Sequence, residues 1–128
     1  MEQIDSFTIQ QAAERTGLTA HTLRYYERIG LLEDVHRAEN GHRQYTEDDL
    51  GWIHLLKCLR ATGMPIAQMK DYAELTREGS HTVEDRLDML ENHRRSVIEQ
   101  IAELQAYLTM IDNKINYYAQ EQTLLEEA

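Results

Sequence analysis

The stretch TAHTLRYYERIGL, residues 19–31, decides how the rest of the chain is read. Thr19 is placed to cap a short helix that runs to about Arg28, and Gly30 ends it. Leu18, Leu23, Ile29 and Leu31 supply apolar anchors, while Arg24, Tyr25, Tyr26 and Arg28 crowd guanidinium and phenol groups into its middle. A short helix of that composition suits contact with something anionic, and the reading is a DNA recognition helix. Upstream, Thr8-x-x-Gln11 has capping-box spacing, Ile9, Ala12 and Ala13 form an apolar stripe, and Gly17 is the expected stop. Two short helices joined by a tight glycine-containing turn outline a helix-turn-helix, although any helical hairpin shares that outline.

Downstream, VHRAENGHRQY (35–45) changes character. Asn40-Gly41 is a strong hairpin signal because both residues tolerate positive φ. Arg37, His42 and Arg43 flank it. Behind a helix-turn-helix, a small basic hairpin reads as a wing reaching backbone or minor groove; the alternative is a solvated hairpin. Thr46 caps a third helix to about Ala61, with Glu47, Asp48 and Asp49 at its positive end. Its core contacts are Leu50, Ile53, Leu56 and Leu59, with Trp52 and Leu55 on a flank. Gly63 ends it, Pro65 suits the first turn of a fourth helix over roughly 65–76, and Ile66, Met69, Tyr72 and Leu75 form its apolar side. TREGSH (76–81) then breaks the pattern.

From Val83, residues Leu87, Leu90, Arg94, Val97, Ile101, Leu104, Leu108, Ile111, Ile115 and Tyr118 alternate spacings of four and three. That is a coiled-coil seam interrupted only by Arg94, which either fixes register or snorkels to solvent. A helix of about 38 residues would be roughly 57 Å long. Alone it would leave its apolar side wet, so a homodimer is expected. The pattern leaves parallel and antiparallel pairing open. Tyr107, Tyr117 and Tyr118 read as dimer packing.

With 128 residues there is room for one modest core, or a small domain plus an extension. The single cysteine, Cys58, excludes an internal disulfide framework and a Cys-only zinc cluster within one chain. No long uncharged apolar run and no basic-then-apolar N-terminus is present, so a cytoplasmic protein without membrane partners is expected. The net charge of −10 does not exclude DNA. Up to Gly63 the chain carries seven Lys/Arg against ten Asp/Glu, and beyond it six against thirteen. Most of the acidity lies away from the reading head, and a nucleic-acid site needs only a local basic surface.

TIQQAAERTGL (8–18), TLRYYERIGLL (22–32) and R-x-x-N-G-x-R-x-Y (Arg37 to Tyr45), followed by a helix pair and a terminal dimer helix, resemble the MerR family of transcription regulators over nearly the whole chain. The fold expected is mostly α: a winged helix-turn-helix DNA-binding domain over 1–78, with the wing at about 35–45 and the helix pair at 46–77. A dimerisation helix follows over 79–128. The resemblance implies an antiparallel dimer whose two heads read the halves of a palindromic element in double-stranded promoter DNA. It also implies that the active form bends and untwists an overlong promoter spacer so that RNA polymerase can start. No enzymatic activity and no cofactor are expected.

Thr19, His21 and Thr22 can reach base edges, and Arg24 can make a bidentate contact to guanine or a phosphate. Tyr25 and Tyr26 lie about 100° apart around the helix and cannot both face DNA. By resemblance Tyr25 binds phosphate and Tyr26 supports the core. Arg37, His42, Arg43 and Tyr45 are assigned to the wing, and Lys57 or Arg60 to a further phosphate contact. Arg28 is either a DNA contact or a structural ion-pairing residue.

Larger family members carry a separate ligand domain after the dimer helix, whereas this sequence runs about ten residues past Tyr118, and no such domain is expected in it. Metal-sensing members place cysteines beside that helix, where this chain reads GSHT (79–82) and EQTLLEEA (121–128). His81 alone makes a poor site, and no metal is assigned. WIHLLKCLR (52–60), with the T-x-x-G-x-x-T-V-E-x-R stretch from Thr76 to Arg86, resembles the thiol-dependent, aldehyde- and electrophile-responsive branch typified by AdhR and NmlR. Cys58 is then a stress sensor of aldehydes, electrophiles or oxidants through which the regulator activates or represses, its thiol tuned by His54, Lys57 and Arg60. Two alternatives stand beside it. Cys58 is core packing and the signal a non-covalent small molecule, or the protein is a coiled-coil adaptor whose head binds protein.

Overall fold

The computed structural model describes residues 6–33 and 36–127. Val35, the first residue of the expected wing, and the outer ends of the two expected domains (1–5 and 128) lie outside them. Five helices and one hairpin follow in order: α1 Ile9–Thr16, α2 Ala20–Arg28, β1 His36–Arg37, β2 Arg43–Gln44, α3 Glu47–Ala61, α4 Ile66–Glu78 and α5 Val83–Glu127. A single 3-10 turn, Ser80–Thr82, precedes α5. The chain is mostly helical, a helix-turn-helix head followed by a long terminal helix.

Side chains that satisfy free helix ends set the boundaries. Thr8 and Gln11 form a reciprocal capping box on α1, and Gly17 closes that helix in the left-handed region at φ 73°. Thr19 accepts the Thr22 amide at the start of α2, and Thr46 and Asp49 cap α3 reciprocally. The helices pack through one apolar face each: Ile9 and Ala12 from α1, Leu23 and Tyr26 from α2, Leu50, Ile53, Leu56 and Leu59 from α3, and Met69, Tyr72 and Ala73 from α4. The loop residues Leu31, Leu32 and Met64 complete this core.

Three expectations change. The turn of the hairpin spans Ala38–Gly41, closed by the Gly41 amide on the Ala38 carbonyl at 2.9 Å. Gly41 takes the positive φ (81°), whereas Asn40 serves through its side chain, which accepts the His42 amide at 3.0 Å. The break expected over 76–81 shifts to Gly79 and the 3-10 turn Ser80–Thr82, because α4 continues through Thr76, Arg77 and Glu78. Pro65 stands just outside α4 as its N-cap, with extended backbone.

The described residues up to Leu87 form one compact unit and those from Asp88 the other. The first turn of α5 thus belongs with the head rather than with the rest of its helix. The Thr82 hydroxyl, in a buried residue, donates to the Leu75 carbonyl at 2.5 Å, and Arg86 donates to both Thr82 Oγ1 and the Gly79 carbonyl at 3.1 Å. Within α5 no residue is buried.

Candidate nucleic-acid interface

Solvent-facing residues of α2 follow one helical stripe. His21, Arg24, Tyr25 and Arg28 are exposed, at the i, i+3, i+4, i+7 spacing that keeps side chains within about 100° of arc. Leu23 and Tyr26 point the other way, 0% and 5% exposed. Burial holds the Tyr26 phenol above its usual range, against the pull of the Arg60 charge. Tyr25 is 39% exposed, and the Arg28 guanidinium lies 5.8 Å from its ring centroid. This cation–π contact is where the structure places Arg28. Thr19 is committed to capping: its hydroxyl accepts the Thr22 amide and donates to Thr22 Oγ1, both at 3.0 Å. Thr22 keeps its own hydroxyl proton for an outside acceptor.

Beside this face stands the wing. Arg37 and Arg43 are direct cross-strand partners. Arg37 donates from Nη1 to the Gly41 carbonyl at 3.1 Å, across the turn, and from Nη2 to Glu27 Oε1 at 3.1 Å. Arg43 donates from Nε to Glu27 Oε2. One carboxylate on α2 thereby ties both wing arginines to the reading helix. His42 is exposed beside the turn.

Two assignments need correction. Tyr45 is 0% exposed and cannot supply a wing contact to DNA. It extends the hairpin into an isolated bridge with Phe7, through Phe7 N to Tyr45 O at 2.7 Å and Tyr45 N to Phe7 O at 2.8 Å. Burial, and then the Glu27 charge, hold its phenol above the usual 10.0. Lys57 is directed at α1, where its ammonium donates to the Thr16 carbonyl at 2.9 Å, a favourable place for a cation at a helix C-terminus. Arg60 is exposed, with Nη1 3.5 Å from the Met64 carbonyl.

Cys58 is exposed on α3, one turn from the exposed His54, and so lies outside the core of its own chain. Lys57 and Arg60, expected to tune it, direct their hydrogen bonds to Thr16 and Met64. Among the described residues, no three His, Cys, Asp or Glu side chains cluster to hold a metal, and no helix is long and apolar enough to cross a membrane.

Sequence reasoning missed the residues that fix the exit from α2. Trp52 Nε1 donates to the Leu31 carbonyl and Arg77 Nη1 to the Gly30 carbonyl, both at 2.8 Å, while Arg77 pairs with Glu33 at 3.1 Å. Trp52 stacks on Tyr72, with ring centroids 5.8 Å apart. Long-range partners of this kind carry no local spacing signal.

Comparison with known proteins places this geometry. Residues 7–76 match the model of the MerR HTH family regulatory protein, and residues 50–113 match that of MerR, DNA binding. An uncharacterized HTH-type transcriptional regulator of Haemophilus influenzae is 43% identical over 119 residues, covering 93% of this chain and 88% of that protein. The HTH-type transcriptional regulator AdhR of Bacillus subtilis is 46% identical over 91 residues, 71% of this chain and 65% of AdhR. Among solved structures, HiNmlR, a MerR family regulator lacking the sensor domain and crystallised bound to promoter DNA, superposes with a TM-score of 0.85. It is 42% identical, with 94% of this chain and 95% of that one covered.

Proposed function

We propose, from the premise that this chain belongs to the MerR family of helix-turn-helix regulatory proteins, that it reads a palindromic promoter element as a homodimer and reports electrophilic stress to RNA polymerase. It is a DNA-binding transcription regulator and not an enzyme. The observation that carries the reading is the single cationic and phenolic stripe His21–Arg24–Tyr25–Arg28, backed by buried Leu23 and Tyr26 and flanked by the wing. His21 and Thr22 face base edges; Arg24 contacts guanine or phosphate, and Tyr25, Arg37, His42, Arg43 and Arg60 contact the backbone. Replacing Arg24 by Ala is expected to weaken operator binding by roughly 1–3 kcal/mol; wild-type affinity in an anisotropy titration would refute its role. The bound dimer distorts an overlong spacer, so the activity is a change in DNA shape.

The signal is assigned to Cys58. Its exposure and the likeness to AdhR support this. The thiolate sulfur adds to an aldehyde carbonyl carbon, the carbonyl oxygen takes a proton from water, and a hemithioacetal results. Cys58→Ser should keep operator affinity and abolish the transcriptional response to aldehyde; an unchanged response would end the assignment. A second reading rests on a cavity of about 180 Å³ lined by Leu31, Trp52, Ala73, Thr76 and Arg77. It would admit a small non-covalent ligand and make Cys58 a bystander. Response of the Cys58→Ser protein to the same inducer selects it. Failure of the wild type to bind any inverted-repeat duplex at low salt selects a protein-binding adaptor instead.

A further inference from the structure

Arg37 and Arg43 stand directly opposite each other in a two-residue-per-strand hairpin. Like charges in that position repel, and an isolated hairpin is marginal in water. The Phe7–Tyr45 bridge anchors only the base of the hairpin, and at the paired arginines the group that holds it is Glu27. Its side chain is 21% exposed in the last turn of α2, and its two oxygens are divided between the strands: Oε1 takes Arg37 of β1, and Oε2 takes Arg43 of β2. Arg43 makes this contact through Nε, and its two terminal amino groups take no part in it. Arg37 is fixed a second time by the Gly41 carbonyl.

We propose that Glu27 is a positioning residue for DNA recognition, a carboxylate clamp that sets the angle between wing and reading helix so that both meet the duplex as one preset surface. The proposal rests on the DNA-reading function above. A carboxylate this near the phosphates opposes binding to DNA in general, so a clamp and a mere charge differ in sign. Losing a clamp lowers discrimination between sequences, whereas losing a charge raises affinity for all of them.

The test uses the full chain and two probes of equal length: a duplex that the wild type enriches from a random-sequence pool, and its scrambled counterpart. Glu27→Gln is nearly isosteric but uncharged; Glu27→Asp keeps the charge but is one methylene short of reaching both strands. Both variants are expected to lower the ratio of operator to scrambled affinity by roughly tenfold. Glu27→Gln should do so with scrambled-duplex affinity unchanged or raised, which a misfolded head could not show. Faster amide exchange at Ala38 and Gly41, whose hydrogen bonds close the turn, should accompany it. If Glu27→Gln raises both affinities together, or if both variants keep the ratio within about twofold, the clamp is overturned while the DNA reading stands. If the wild type enriches no sequence, the DNA reading falls first and the clamp with it.

Discussion

Tyr45 carries a phenol oxygen that is shut off from water and has no hydrogen-bond partner among the described residues. An unsatisfied buried hydroxyl costs about 1–3 kcal/mol, so Tyr45→Phe should leave stability unchanged or raise it by about 1 kcal/mol. Operator affinity should not move, whereas a wing contact made by that hydroxyl would be lost. Thermal unfolding and anisotropy on the same variant decide both points. The pH dependence has a definite sign. With Tyr45 and Tyr26 both raised by burial, the unfolded chain ionises first, so the folded state holds more protons above pH 10. Stability is full below that pH and falls as pH rises through the folded values, and Tyr45→Phe should flatten the fall. Lys57 makes a complementary case. Lys57→Ala should cost about 1 kcal/mol of stability through the Thr16 carbonyl and leave the salt dependence of DNA binding unchanged. A slope smaller by about one would restore the phosphate contact. These residues show where sequence stops: capping spacings such as Thr8/Gln11 are local and legible, but the partner of Lys57 lies forty-one positions away. Tyr45 reads as a wing residue until its pairing with Phe7 is seen.

The joint between α4 and α5 is an element whose letters were legible and whose purpose was not. T-x-x-G-x-x-T-V-E-x-R could be seen only as a resemblance. In three dimensions four of its six letters have a task. Thr76 returns its hydroxyl to the Tyr72 carbonyl at 3.0 Å, Gly79 turns the chain at φ 107°, and Thr82 and Arg86 hold the carbonyls that α4 leaves open. Among the described residues, chain neighbours apart, no atom lies within 4 Å of where a Cβ on Gly79 would stand, so Gly79→Ala tests backbone conformation. It should destabilise the protein by about 1–3 kcal/mol, measured by denaturant unfolding. A neutral result would mean that the joint relaxes, and that the first turn of α5 is held by Thr82 and Arg86 without it. The helices themselves were legible because caps and apolar period agreed. The hairpin was legible as a hairpin, but its attachment through Glu27 was not, since a carboxylate in a helix looks like any solvated charge.

At the scale of the whole molecule, the proposed homodimer turns on α5. It runs for 45 residues without a buried one, about 68 Å of helix. Its seam residues Leu104, Leu108, Ile111 and Ile115 are each about half exposed or more. Such a stripe is stable in water only against another, and the heptad spacing suits a second copy of itself. The coupling to DNA is then a matter of effective concentration. Two linked heads on two half-sites bind more tightly than one by about 10²–10⁴-fold without any new contact. A charge at the centre of the seam therefore should act on DNA at a distance. Leu108→Glu, in the terminal unit, should give a monomer by sedimentation with head stability unchanged. Operator affinity should fall by roughly that linkage factor while half-site affinity stays at the wild-type value. A variant that stays dimeric would move the interface off this seam. A monomer with full operator affinity would instead show that one head suffices, and the palindrome would lose its physical reason.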